Sequence, residues 1–288
     1  MNFQKEEDFI FPAPNFYESV LEKYKDYLIV IPTGRKNKNQ IEEKIPCLFK
    51  KYPNSNNLLI LFHCNGIDIF SLIDIFSLFG IDDYFTDFKM NLLIPEYPGY
   101  SLYKTSSPSS KKCLENSLII YDFCLKNIKN ISEKKIFIFG RSLGTGPAIY
   151  LASQRNPAGI FLLSPYTTFA AVGKSYHNEE FYNKLTQHLR AIDYVDKVKC
   201  PICFCHGKKD KLIDYKEAIE LFEKCEKNNK REIFLIDEMG HNDVYDYLEE
   251  ISEYAQIFIK KFSLFNFSDN QNEKSLDLDK KFYYFHDK

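Results

Sequence analysis

The run Gly140-Arg141-Ser142-Leu143-Gly144 fits the pattern G-x-S-x-G. A serine hydroxyl is a weak nucleophile unless a base removes its proton and an acid orients that base. The context around Ser142 suits such a role. The apolar run Lys135–Phe139 leads straight into the pattern, and the small-residue stretch Leu143–Ser153 leads out of it. A strand, a sharp turn and a helix in that order would expose the serine Oγ above a sheet. Glycine suits the flanks because a Cβ there would meet the tight turn or a neighbouring strand. The helix start would also aim backbone N–H groups at the reaction centre.

On such an elbow the acid and then the histidine follow the serine along the chain. His177, His188, His206, His241 and His286 all follow Ser142, whereas His63 precedes it. His241 lies in Met-Gly-His-Asn-Asp, between the last predicted strand and the last predicted helix, and is the expected base. His206 ends an apolar strand and reads as a hydrogen-bonding residue at a loop root. The acid is expected at Asp210, in His-Gly-Lys-Lys-Asp on the loop after the penultimate strand. Asp214 competes with it, but Asp214 and Glu217 have the spacing of a capping box, which accounts for them without catalysis. Asp243 is expected to cap the last helix. Charge developing on a carbonyl oxygen needs donors. One is expected from the N–H after the nucleophile, at Leu143, and the second from the loop His63-Cys64-Asn65-Gly66.

Two other patterns carry less. Cys200, Cys203 and Cys205 form a tight group that could suggest zinc, but Pro-Ile-Cys-Phe-Cys reads as a buried strand and no second Cys/His pair has the spacing of a zinc finger. Gly173-Lys174-Ser175 resembles the end of a phosphate-binding loop, yet the glycine that motif needs is Thr168. No metal and no cofactor are called for.

The elements that must hold these residues alternate along the chain. Strands are predicted at Tyr27–Ile31, Ile45–Lys50, Leu58–His63, Asn91–Ile94, Lys135–Phe139, Gly159–Leu163, Ile202–Cys205 and Glu232–Ile236. Runs such as LLILF, IFIF and IFLL suit strands covered on both faces, as in a parallel sheet. The first two flank a polar turn and suggest an antiparallel hairpin at one edge. Helices are predicted at Asp68–Phe79, Lys112–Lys129, Leu143–Ser153, Asp214–Glu226 and Asp243–Phe262. The class is α/β: a mostly parallel central sheet, helices on both faces, an antiparallel N-terminal edge hairpin and a short cap segment. The expected limits are an arm at 1–25, the domain at 26–264 with the cap at 165–199, and a tail at 265–288. Within that tail, 268–280 reads as loose and Phe282–Phe285 as able to dock back.

With 288 residues, 44% hydrophobic and 27% charged, the chain can bury a large core and is not of a disordered class. Its 38 basic against 40 acidic residues leave a net charge of −2, which offers no basic field for nucleic acid. The 16% aromatic content and the excess of Lys over Arg read as a bias of the source genome. No apolar run approaches the ~20 residues of a membrane helix. The eight cysteines follow no secretory leader, so a reducing cytoplasm is expected, with peripheral contact to membranes.

Several stretches together resemble the α/β-hydrolase family: FIFPAPN, LILFHCNGIDI, IPEYPGYSLY, IFGRSLGTGPAIYLAS, LLSPY, IDYVDKVKCPICFCHGKKDKLID and DEMGHNDVY. Within it the chain looks like the eukaryotic α/β-hydrolase-domain group that includes protein depalmitoylases. The resemblance spans residues 9–246. It implies the α/β-hydrolase fold, a triad of Ser142, Asp210 and His241, and an oxyanion hole from the amides of Leu143 and Asn65. It also implies cleavage of acyl esters or thioesters through an acyl-enzyme, with palmitoylated protein as the favoured substrate. Lipid or small-ester hydrolysis and aminopeptidase-like activity are alternatives, as is a non-catalytic binding role. Two features depart from the group: Cys64 stands where relatives have Gly or Ala, and no cysteine cluster precedes Cys47. In the cap, Phe169 and Phe181 are expected either to line a groove for a fatty acyl chain or to pack the cap onto the body.

Overall fold

The computed structural model of the protein describes residues 3–79, 88, 90–173, 183–264 and 274–285. The chain divides into two compact units, one formed by 1–136 with 267–288 and the other by 137–266.

In the first unit, helices α1 (Phe3–Ile10) and α2 (Leu21–Tyr24) precede a hairpin of β1 (Leu28–Lys36) and β2 (Glu42–Lys50). These strands pair antiparallel, with Leu28 opposite Leu48 and Ile31 opposite Ile45, as the sequence suggests. Strand β3 (Leu58–Phe62) leads to helix α3 (Ile69–Leu78), and β4 (Asn91–Pro95) to helix α4 (Ser110–Asn127). The strand order here is β1-β2-β4-β3. Strand β4 runs antiparallel to β2 and parallel to β3. Both long helices start on side-chain caps: Asp68 accepts from the Ser71 N–H, and Ser109 from that of Lys112. Glu7, on α1, adds a buried carboxylate that accepts from both the N–H and the hydroxyl of Ser110. Negative charge is favoured there, at a helix N-terminus.

The end of the stretch read as loose, from Leu276, is anchored, and Phe282–Phe285 dock back as the sequence suggests. After the two-residue strand β5 (Ile128–Lys129) in the first unit, strand β10 (Asp277–Leu278) returns from the C-terminus to pair with it. Leu276 and Leu278 are buried, Phe282 meets the Phe123 ring edge-on, and the Tyr284 N–H donates to the Leu28 carbonyl. Two leucines two positions apart put both side chains on one face of an extended segment, enough to bury within an otherwise polar stretch.

The second unit holds β6 (Ile136–Arg141), α5 (Thr145–Gln154), β7 (Gly159–Leu163), α6 (Ala170–Gly173), β8 (Ile202–Gly207), α7 (Lys216–Lys224), β9 (Arg231–Ile236) and α8 (Leu248–Lys261). Its strands lie in the order β6-β7-β8-β9, all parallel: Arg141 pairs with Leu163, Leu163 with Cys205, and Gly207 with Ile236. Parallel strands bring their carboxyl ends to one edge, where a site in this kind of sheet is built. Of the cap segment, 165–173 and 183–199 are described. Leu185, Leu189, Val195 and Val198 are buried in it.

The cysteine group at 200–205 is core. Cys203 and Cys205 lie on β8, Cys200 lies just before it, and all three are buried. Burial pushes the Cys200 thiol up to about 12 and raises those of Cys203 and Cys205 as well. Cys47, Cys113, Cys124 and Cys225 are buried too.

Candidate active site

Strand β6 ends at Arg141, and the chain turns at once through a short 3₁₀ segment, Ser142–Gly144, into α5. Ser142 takes φ = 51°, in the left-handed region. That conformation is costly for a residue with a Cβ and is held where the surroundings dictate it. The turn closes because residue 140 is glycine: a Cβ there would lie 2.6 Å from the Gly144 carbonyl oxygen and 2.9 Å from the Ala148 Cβ. Tyr166, fully buried after β7, donates its hydroxyl to the Leu143 carbonyl and so pins the elbow from the side.

The loops after β8 and β9 bring two more expected residues to this turn. The Ser142 hydroxyl donates to His241 Nε2 over 3.1 Å. His241 Nδ1–H donates to Asp210 Oδ2 over 2.7 Å. The three form one unbroken relay, and its bonds fix the imidazole tautomer, because a carboxylate can only accept. Ser142 is 4% exposed and Asp210 7%, so the relay lies largely out of water.

Asp210 is more strongly held than a single histidine requires. Its Oδ1 accepts from the N–H groups of Leu212 and Ile213, and its Oδ2 accepts a second imidazole, His206 Nε2–H, at 3.2 Å. Burial opposes its charge. The hydrogen bonds from His206 and His241, with the charge of His241 and the Ile213 N–H, nevertheless hold the carboxyl well below its ordinary value of 3.8. Asp210 is therefore an anion at any ordinary pH. His206 also donates to the Ile213 carbonyl, at 3.0 Å, which ties the acid loop to the end of its own strand.

Two expectations about nearby carboxylates need correction. Asp214 does accept from the Lys216 N–H near the start of α7, but Glu217 does not complete a capping box. It is buried and turned away, accepting from the N–H and hydroxyl of Thr167 in the loop after β7. Asp243 makes no side-chain cap at the helical turn it precedes. Its Oδ1 accepts instead from the Gly240 N–H, which bends the chain around His241. The base loop also lies tight on β8: a Cβ at residue 207 would sit 2.1 Å from the Met239 carbonyl oxygen.

The remaining expected residues divide as follows. Leu143 follows Ser142 within the 3₁₀ turn. Asn65 belongs to the first unit, where its Oδ1 accepts from the Tyr100 hydroxyl at 2.8 Å and the Tyr97 hydroxyl donates to the neighbouring His63 carbonyl. Below that loop, buried Glu96 lies 3.4 Å from His63 Nε2 and accepts from the Tyr97 N–H and the Ser101 hydroxyl. Phe169 is 1% exposed and packs edge-on against Tyr166. Phe181 lies outside the described residues. Sequence reasoning gave no role to Arg141 or Tyr245, and counted Tyr166 only among the aromatic side chains of the cap segment. Arg141 meets the His241 carbonyl and the Tyr245 hydroxyl about a hundred residues on, which leaves no local pattern to read.

Known proteins share this arrangement at the level of fold and family. The sequence profile of the phospholipase/carboxylesterase family of α/β hydrolases matches residues 111–259, more than half of the chain. Alpha/beta hydrolase domain-containing protein 17B of Xenopus tropicalis is 27% identical over 221 residues, covering 74% of this chain and 71% of that protein. The human protein of the same name matches to the same extent. Among solved structures, the esterase Pf2001 of Pyrococcus furiosus superposes with a TM-score of 0.62 at 17% identity, over 86% of this chain and 96% of its own. The chain thus belongs to the phospholipase/carboxylesterase family and carries the α/β-hydrolase fold.

Proposed function

We propose that the protein is a serine hydrolase that cleaves acyl esters or thioesters through an acyl-enzyme on Ser142. The observation that carries this reading is the relay itself, Ser142 Oγ to His241 Nε2 and His241 Nδ1 to Asp210, at 3.1 and 2.7 Å. Ser142 Oγ attacks the acyl carbonyl carbon as His241 Nε2 takes its proton. The tetrahedral oxyanion accepts from the Leu143 amide, the N–H that follows Ser142. His241 then returns the proton to the leaving alcohol or thiol. In the second half it takes a proton from water, the hydroxide attacks the acyl-enzyme, and Ser142 leaves with the proton. Asp210 keeps Nδ1 protonated and steadies the imidazolium through both halves.

Within this class we favour the thioester of a fatty-acylated protein, the activity the sequence resemblance implies. An intact relay speaks against a purely binding role. Ser142→Ala should keep the fold and abolish labelling by a fluorophosphonate probe, with turnover falling on the order of 10⁶-fold, as for a triad nucleophile. Undiminished labelling of that variant removes Ser142 from the mechanism.

A further inference from the structure

We propose that Arg141 is a positioning residue for the base, holding the main chain of His241 to the end of the strand that leads into Ser142; this rests on the triad reading above. Position 141 is one of the two unspecified residues of the G-x-S-x-G pattern, so the motif itself asks nothing of it. Here its guanidinium is a two-pronged tie. Nη2–H donates to the His241 carbonyl at 3.1 Å, and Nη1–H donates to the Tyr245 hydroxyl at 3.1 Å. The guanidinium also stands over the Tyr245 ring, 5.3 Å from its centre. The two acceptors lie four residues apart, His241 ahead of the 3₁₀ turn Val244–Tyr247 that leads into α8 and Tyr245 within it.

The need for such a tie follows from how His241 is otherwise held. Asp210 fixes the imidazole at Nδ1, which orients the ring but leaves the loop that bears it to be fixed by other means. That loop is irregular and includes Gly240, and the Asp243 bond to the Gly240 N–H ties it only to itself. Met239 rests on β8, the strand of the acid. Arg141 supplies the missing tie, to the strand of the nucleophile. Residues 141 and 142 are consecutive, so the side chain of one grips the base's backbone while the side chain of the other meets its ring. The separation of Oγ and Nε2 is then set through one peptide unit and one rigid fork. A planar guanidinium with fixed donor directions suits this task, whereas a lysine ammonium is a single point that cannot hold both acceptors in a fixed geometry.

The test uses the full chain, with a fluorophosphonate probe and p-nitrophenyl butyrate as substrate. Arg141→Met keeps length and apolar volume and removes the donors. Its labelling rate and kcat should fall together by about 10²-fold, the loss that a misplacement of about 1 Å can cause, with KM and melting temperature unchanged. Arg141→Lys should recover part of the loss. Arg155→Met, at the opposite end of α5, should keep the wild-type rate. Wild-type labelling and kcat in Arg141→Met overturn the proposal, and so does a raised KM with kcat kept, which would make Arg141 a substrate contact. If Arg141→Met does not fold, Arg141→Lys decides: a reduced kcat at constant KM supports the clamp and a wild-type kcat overturns it. Failure of the wild-type protein to label at all would instead overturn the triad reading, and the clamp with it.

Discussion

Asp210 accepts four hydrogen bonds, two from main-chain N–H groups and two from imidazoles. If it orients His241, Asp210→Asn should lower turnover by up to about 10⁴-fold, since an amide can impose the wrong tautomer. Asp214→Asn keeps an oxygen that can accept from the Lys216 N–H, so it should leave both helix-start stability and turnover nearly unchanged. Measuring kcat and melting temperature for both variants separates the roles, and the reverse pattern would move the acid to Asp214. A pH effect follows as well. The folded Asp210 carboxyl titrates below its ordinary 3.8, so the unfolded chain binds the proton first. Its stabilising contribution is therefore complete above that value and is lost as pH falls toward the lowered folded value. Between about pH 5 and about pH 2 the wild-type denaturation midpoint should drop more steeply than that of Asp210→Asn. Parallel slopes would mean that Asp210 is not held as an anion. The sequence pointed to Asp210 and His241, which the structure brings to Ser142, because their order along the chain is topological. It did not reveal that His206 shares the same carboxylate oxygen, because that depends on where β8 ends relative to its own loop.

At the level of elements, the buried strands were legible because a run such as GIFLL has no polar residue to offer solvent: Gly159–Leu163 is a strand over the predicted residues. Ends were less so. Strand β1 continues to Lys36, beyond the predicted Ile31, because its hairpin pairing carries polar residues along. The last helix starts at Leu248 after a 3₁₀ turn, since Asp243 is spent on Gly240 and caps nothing. Glu217 misled for a similar reason: its spacing fits a cap, but the loop after β7 competes for its carboxylate and wins. Gly207 tests how closely two elements must approach. A Cβ there meets a main-chain oxygen, which cannot swing aside as a side chain would. Gly207→Ala should lose about 1–3 kcal/mol to overpacking and, by shifting the base loop, lower kcat more than it raises KM. Thermal melts with steady-state kinetics check it, and an unchanged kcat would show that Met239 can yield without moving His241.

For the whole molecule, substrate preference follows from proposed chemistry rather than from charge, which nearly cancels at −2. Among the described residues no helix is long and apolar enough to cross a membrane. If the substrate is a fatty thioester, each bound methylene adds about 0.8 kcal/mol. kcat/KM should then climb from acetyl toward long acyl esters. A flat profile, or a preference for acetyl, would remove the case for fatty-acylated protein and leave small-ester hydrolysis. The buried cysteines carry a different consequence. Seven of the eight are enclosed, and Cys64 alone is partly exposed. Only a thiolate that a reagent can reach is modified. The native protein should therefore titrate as having one fast thiol, with the others reacting only when their segment transiently opens. Cys47 on β2, Cys113 and Cys124 on α4, and Cys203 and Cys205 on β8 become internal clocks for those elements. Pulse alkylation followed by peptide mass spectrometry would read from their rates the order in which the protein comes apart, with no label added by design.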